Sequence, residues 1–131
     1  VFLVARAREV GIRIDAVPGP SALVTAFSIA GISGNQFTFL GFIPHKKGRE
    51  TFFKTLIDHV QPAIFFESTH RILKTLESLE KVLPDSKVML GRELTKMHEE
   101  MLVGTPAELL NILKIEPVKQ KGEFVVIVSS R

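Results

Sequence analysis

Three short apolar runs, Pro62–Phe66, Lys87–Gly91 and Phe124–Val128, are spread along the chain with helix-period segments between them. A strand that is apolar at nearly every position is buried on both faces, so each run demands cover from two sides. The intervening segments can supply it. Phe52, Phe53, Leu56, Ile57 and Val60 recur at three–four spacing after Arg49, and Ile72, Leu73, Leu76, Leu79 and Leu83 do so before Pro84. Such stripes mark amphipathic helices. Thr105-Pro106-Ala107-Glu108 is a capping box with proline at the first helical position, and it opens a helix with Leu109, Leu110 and Leu113 on its apolar face. Strands alternating with helices predict an α/β layered domain.

The remaining elements follow from local signals. Phe2–Val10 reads as a helix ended by Gly11. Ile12–Val17 alternates as a strand does. Pro18-Gly19-Pro20 breaks it, with Pro20 placed as the first residue of a helix over Ser21–Ala30. Ala22, Ala26 and Ala30 let that helix sit close to a sheet or a ligand, and Gly31 and Gly34 end it. Phe37–Phe42 is a further strand, and Ser68 or Thr69 is the expected cap of the helix that follows. The seam of the chain is expected at Gly31–Gln36.

The 131 residues suffice for one domain with a core of its own. The absence of cysteine excludes disulfides and thiolate metal sites and suits a reducing cytoplasm. A net charge of +3 permits an anionic partner without demanding one. No apolar run approaches the roughly 20 residues that cross a bilayer. The chain opens Val1-Phe2-Leu3-Val4, without methionine and inside an apolar-patterned segment, which raises the expectation of an upstream portion.

Tests for familiar chemistry narrow the field. His98-Glu99 begins like a zinc-protease helix, but Leu102 stands where a second histidine is required, and His45, His59 and His70 share no ligand spacing. No metal site is expected. Ser21 does not sit in a nucleophile elbow, because position 23 is Leu. Its hydroxyl either serves the first turn of its helix or meets a ligand there.

Polar residues instead crowd the ends of two buried strands, in Glu67-Ser68-Thr69-His70-Arg71 and in Arg92-Glu93-Leu94-Thr95-Lys96. Ligands of open α/β sheets lie outside the carboxyl ends of strands. The alternative is structural, with Ser68 and Thr69 capping a helix and Glu67 or Glu93 pairing with Arg71 or Arg92. The loop His45-Lys46-Lys47-Gly48-Arg49 puts cations at a helix start, where acids are preferred, so phosphate binding weighs equally with a solvated surface. Gly122-Glu123 opens the last strand, as a turn or as a point of close backbone approach.

Taken together, Pro18-Gly19-Pro20-Ser21-Ala22, Gly41-Phe42-Ile43-Pro44, Glu67–Arg71, Arg92–Lys96 with Glu99, Gly104 and Lys121-Gly122-Glu123 resemble the tetrapyrrole methylase superfamily, and its ribosomal RNA branch in particular. The resemblance implies a two-lobed enzyme with S-adenosylmethionine between the lobes. Residues 1–34 would be the tail of the cofactor-binding lobe, and 35–131 a C-terminal lobe with a mixed sheet and flanking helices. It implies methyl transfer to a cytidine ribose 2′-hydroxyl of small-subunit ribosomal RNA by a cytoplasmic homodimer. Ser21, Ala22, Glu67, Ser68, Leu94, Thr95, Gly122 and Glu123 would then contact the cofactor, and Lys46, Lys47, Arg49, His70, Arg71, Arg92 and Lys96 the RNA. The base for the hydroxyl proton stays open among Glu67, Glu93, His70 and Lys96. A small-molecule methylase acting on a tetrapyrrole and a non-enzymatic binding module are the rival expectations. The glycine-rich cofactor loops of the family's first lobe have no counterpart here, so this stretch alone is expected to bind cofactor weakly or not at all.

Overall fold

Residues 2–32 and 34–129 are described in a computed structural model. Val1, which precedes the expected first helix, Ser33, inside the expected seam, and Ser130 and Arg131, at the end of the expected second lobe, lie outside the described residues. Strands β1 (Thr38–Phe42), β2 (Ala63–Ser68), β3 (Lys87–Arg92), β4 (Glu100–Gly104) and β5 (Glu123–Ser129) form one sheet in the order β1-β2-β5-β3-β4. β1 runs parallel to β2, while β5 is antiparallel to both β2 and β3, and β4 to β3. The sheet is therefore mixed, as expected.

The continuous apolar runs occupy the three interior strands, where period-two alternation divides them between two cores. Phe65, Val88, Leu90, Phe124, Val126 and Val128 face helices α3 (Arg49–Thr55), α4 (Ile72–Val82) and α5 (Pro106–Ile115). Ile64, Met89, Val125 and Ile127 face α2 (Ala22–Ile29). Ile72, Leu76 and Leu79 of α4 are fully buried, each contributing roughly 1.5–3 kcal/mol of burial. On the other face, buried Ala26 and Ala30 let α2 lie close to the sheet. The capping box of α5 is formed: the Glu108 amide donates to the Thr105 hydroxyl at 3.3 Å, and the Thr105 amide to the Glu108 carboxylate at 2.8 Å. α1 (Phe2–Glu9) buries no residue and ends at left-handed Gly11, with Ile12 N–H donating to Ala7 C=O at 2.9 Å.

Several expectations are corrected. Ile12–Val17 is not a strand: every residue of it is exposed, and none of the five strands pairs with it. Alternation makes a strand only where a neighbour completes the ladder. Pro20 precedes the helix rather than starting it, because Ser21 is the extended N-cap. α3 tightens after Thr55 into a 3₁₀ turn over Leu56–Asp58. Three residues per turn rotate the stripe, so Leu56 stays buried while Ile57 and Val60 are exposed. Ser68 and Thr69 do not cap α4: Ser68 is still paired in β2, and Arg71 holds the N-cap position without a side-chain capping bond. β4 was not anticipated; it pairs with β3 as an edge strand, so only one of its faces needs apolar residues.

Gly31 ends α2 in the left-handed conformation, and α2 packs into a core shared with the sheet. Among the described residues no helix is long and apolar enough to cross a membrane.

The tightened turn makes a direct prediction. Leu56→Ala lowers unfolding stability by about 2–5 kcal/mol, whereas Ile57→Ala, at the next position, changes it by less than about 0.5 kcal/mol. Urea denaturation of the two variants checks this, and equal losses would mean that the helical stripe runs on through both.

Candidate functional site

Strand direction gathers the polar segments at one end of the sheet. β1 and β2 finish there side by side. β5 begins there, with Ser68 opposite Glu123, and β3 finishes there, with Arg92 opposite both Phe124 and Glu100. The loops that follow β1, β2 and β3 and the turn that precedes β5 are thus neighbours, although 80 residues separate the first from the last in sequence.

Glu67 anchors this end. Alternation along β2 turns its carboxylate toward α3 and α4, where its side chain is 0% exposed. A buried carboxylate is costly unless it is paired and hydrogen-bonded, and this one is both. One oxygen accepts from the Ser68 amide at 2.7 Å and from Arg71 Nε at 2.9 Å. The other accepts from the Thr75 hydroxyl at 2.7 Å and lies 3.6 Å from Arg49 Nη1. Thr75 in turn accepts from Arg49 Nη2 at 2.9 Å, and the Arg49 guanidinium stacks 5.1 Å from the Phe53 ring centroid. Arg71 also reaches the Ser68 hydroxyl at 3.2 Å and the Ile43 carbonyl at 3.4 Å. One carboxylate and two guanidiniums therefore tie β2 to α3, α4 and the chain leaving β1.

A second network shapes the loop after β3. Glu93 and Thr95 both have positive φ, 49° and 66°, a conformation that is strained for residues with a Cβ. Hydrogen bonds hold it. The Glu93 carboxylate accepts from the Glu123 amide at 2.8 Å and from Lys96 Nζ at 3.0 Å, and Lys96 also reaches the Glu123 carboxylate at 3.1 Å. The Thr95 amide donates to the Glu99 carboxylate. Gly122 is required here. Its φ is +111°, and an added Cβ would stand 2.6 Å from Glu93 Cγ. The Thr69 hydroxyl clasps the same glycine, donating to its carbonyl at 2.6 Å and accepting from its amide at 3.0 Å.

Between these networks opens a cleft of about 390 Å³, lined by Ala22, Phe42, Phe66, Glu67, Ser68, Glu123, Phe124 and Val125. The Phe42 and Phe66 rings meet at 5.3 Å. Four residues expected around a cofactor, Ala22, Glu67, Ser68 and Glu123, are thus brought together. Glu67 does not offer the cleft its carboxylate, whose partners all lie on the helical side. Ser21 caps α2 in position but makes no side-chain capping bond. Leu94 is buried in the core shared with α2, and Thr95 is exposed beside it. Gly122 fixes the loop rather than lining the cleft.

The residues expected to meet RNA divide into two groups. Lys46, Lys47 and His70 are exposed. Arg49 and Arg71 turn inward to Glu67, and Arg92 pairs with Glu100 at 3.4 Å while donating to the Lys121 carbonyl at 3.1 Å. Lys96 bridges two carboxylates. Sequence reasoning passed over Phe42 and Phe66 as cleft residues. The parity of β2 held the signal for Phe66, which shares a face with Ser68. Among the described residues no three His, Asp or Glu side chains come together as a metal site.

Two predictions follow from the networks. Glu67→Ala leaves buried Arg49 and Arg71 uncompensated and costs about 3–5 kcal/mol, measured by chemical denaturation of the intact protein; a loss below 1 kcal/mol would mean that the cluster is not buried in solution. The Glu123 amide bond and the Lys96 bond hold the Glu93 carboxyl below its usual range. Its contribution to stability is therefore complete above the ordinary carboxylate pKa and is lost as the pH falls through the lowered value. Glu93→Gln flattens this acid limb of the stability profile, and hydrogen exchange at the Glu123 amide reports the same loss locally.

Known proteins resemble this chain in sequence and in fold. The family of Tetrapyrrole (Corrin/Porphyrin) Methylases matches residues 2–110. The ribosomal RNA small subunit methyltransferase I of Escherichia coli O157:H7 is 44% identical over 128 residues, covering 96% of this chain and 45% of that protein. The enzyme of the same name from Thermotoga maritima is 38% identical over 121 residues, covering 92% of this chain and 54% of its own length. The chain spans about half the length of these curated relatives. The structure of uroporphyrin-III C-methyl transferase from Thermus thermophilus complexed with S-adenyl homocysteine superposes with a TM-score of 0.57 at 12% identity, over 97% of this chain and 57% of that one; at that identity the likeness speaks for the fold. With a family match over most of its length, the chain belongs to the tetrapyrrole (corrin/porphyrin) methylase family.

Proposed function

We propose that this chain forms one wall of an S-adenosylmethionine-dependent methyltransferase that acts on a cytidine ribose 2′-hydroxyl of small-subunit ribosomal RNA. The cleft at the strand ends carries the reading. Its volume of about 390 Å³ lies within the range of small-molecule sites. Its lining also fits such a cofactor. Phe42 and Phe66 present ring surface for a flat heterocycle, while Ser68 and Glu123 present groups that bond hydroxyls. Ala22, with no side chain beyond Cβ, leaves room at the start of α2, where Ser21 keeps an uncapped hydroxyl. The names of the relatives, at 38% and 44% identity, support the RNA substrate. In this reading residues 1–34 belong with a preceding cofactor-binding lobe and 35–131 form the second lobe. A cytoplasmic homodimer is the setting that the family resemblance implies.

The bound sulfonium supplies an activated methyl group, which leaves the protein to align the attacking oxygen and to manage its proton. Of the four groups able to take that proton, three are poorly placed. Both oxygens of Glu67 are engaged away from the cleft. Hydrogen bonds from the Glu123 amide and Lys96 lower the pKa of Glu93 and weaken it as a base. Hydrogen bonds to Glu93 and Glu123 raise that of Lys96, which stays a cation. His70 is exposed at the strand end and open to a substrate. Lys46 and Lys47 are free of carboxylate partners among the described residues and suit RNA phosphates, whereas Arg49, Arg71 and Arg92 hold the loops that present them.

The experiment is methyl transfer by the intact protein from labelled S-adenosylmethionine to small ribosomal subunits, naked ribosomal RNA or a porphyrinoid. Label is expected in ribosomal RNA, at a linkage that resists alkaline cleavage because its 2′-oxygen is blocked. Label confined to the porphyrinoid would overturn the RNA substrate in favour of a small-molecule methylase, and no transfer at all would favour a binding module.

A further inference from the structure

A second concavity lies on the opposite side of the Glu67 cluster, between α3 and α4. It encloses about 540 Å³, and its polar lining is Lys46, Arg49, Glu50, Lys54, Ser78 and Lys81. Four cations thus face a single carboxylate. That carboxylate, Glu50, is already paired with Lys54 at 2.8 Å, while among the described residues Lys46 and Lys81 have no ion-pair partner.

The floor leaves the imbalance in place. Beneath the groove two guanidiniums share one carboxylate, and Arg49 Nη1 is buried with no hydrogen-bond partner among the described residues. The net positive charge of that cluster is screened less than surface charge is, so the groove favours an anion along its length. Lys46 stands in the loop at the strand ends, and Lys81 in the last turn of α4. Cations from the loop before α3, from α3 itself and from the end of α4 thus line one groove of about 540 Å³, an arrangement that suits a ligand with repeated charges.

We propose that the groove between α3 and α4 binds successive phosphodiester groups of the RNA, anchoring the substrate at a distance from the reacting ribose. This rests on the RNA reading above and adds Lys54 and Lys81 to the surface that meets the nucleic acid. Lys46 of the groove lies four residues after Phe42 of the cleft. The site contributes affinity and register rather than chemistry.

The test uses the intact protein, a fluorescently labelled fragment of small-subunit ribosomal RNA, and binding measured over a salt series. Lys46→Ala and Lys81→Ala each weaken binding and reduce the salt slope by about 0.7–0.9, and each raises KM for RNA with little change in kcat. Glu50→Gln removes the one acid and acts in the opposite sense, tightening binding. Lys87→Ala, at the far end of β3, changes neither. All four positions are exposed, so loss of the fold does not confound the result. Unaltered slopes in the Lys46, Lys81 and Glu50 variants, with ribosomal RNA still methylated, would overturn the groove alone. A wild-type protein that neither binds nor methylates the RNA would overturn the functional reading as well. Displacement of the RNA by polyglutamate at matched charge concentration would reassign the groove to acidic peptides.

Discussion

The Glu67 carboxylate is the constraint on which the rest of this structure depends. It is fully buried one residue from the end of an interior strand, and the groups within reach are arranged to pair with it. Thr75 comes from α4, Arg71 from the turn before it, and Arg49 from the start of α3. Such a cluster gives modest net stability compared with an apolar core of the same volume, but it is strongly intolerant of a missing member. Its value lies in position. It fixes the end of β2, where the cleft begins, and the root of the basic loop, where the chain leaves β1. A shift at one of these surfaces cannot occur without disturbing the other.

The same strand end separates two chemistries by parity. Ser68 belongs to the face that carries α2 and the aromatic pair, and Glu67 to the face that carries the helices and their lysines. A single peptide unit thus divides a cleft suited to a small flat ligand from a groove suited to a polyanion. On the cleft side, the strained loop at Glu93 and Thr95 is held by bonds to the first residues of β5, so β5 serves both as the central strand and as the brace of the site.

Much of this was legible in the residues. The apolar runs, the stripe of α4 and the capping box of α5 each carry a local signal strong enough to survive in the tertiary structure, and the alternation of elements pointed to layered architecture. The pairing of Glu67 with Arg71 was open to inference because the two are four residues apart. Arg49 was not, because nothing local shows that its side chain leaves the basic loop for a carboxylate 18 positions away. Nor did Glu93 take an arginine; Lys96 lay closer once the backbone adopted positive φ. β4 escaped notice because an edge strand with one buried face carries a weaker pattern than the runs beside it. The Ile12–Val17 alternation misled for the converse reason, since the pattern was present and the partner strand was not. Family resemblance chose the cofactor residues; the packing of Leu94 in the core shared with α2 and the positive φ of Gly122 carry no local signal in the sequence.

The order of the strands has a kinetic side. β2 and β3 never touch; each pairs with β5, which follows them both in the chain. Until residues 123–129 have been synthesised, the two most apolar early strands carry unpaired edges toward each other, and a ribosome delivering roughly 5–20 residues per second leaves them so for seconds. Such edges are templates for aggregation. The sheet is closed from its middle and late, so it is expected to gain its protection from self-association in a single step, when β5 enters the slot that awaits it.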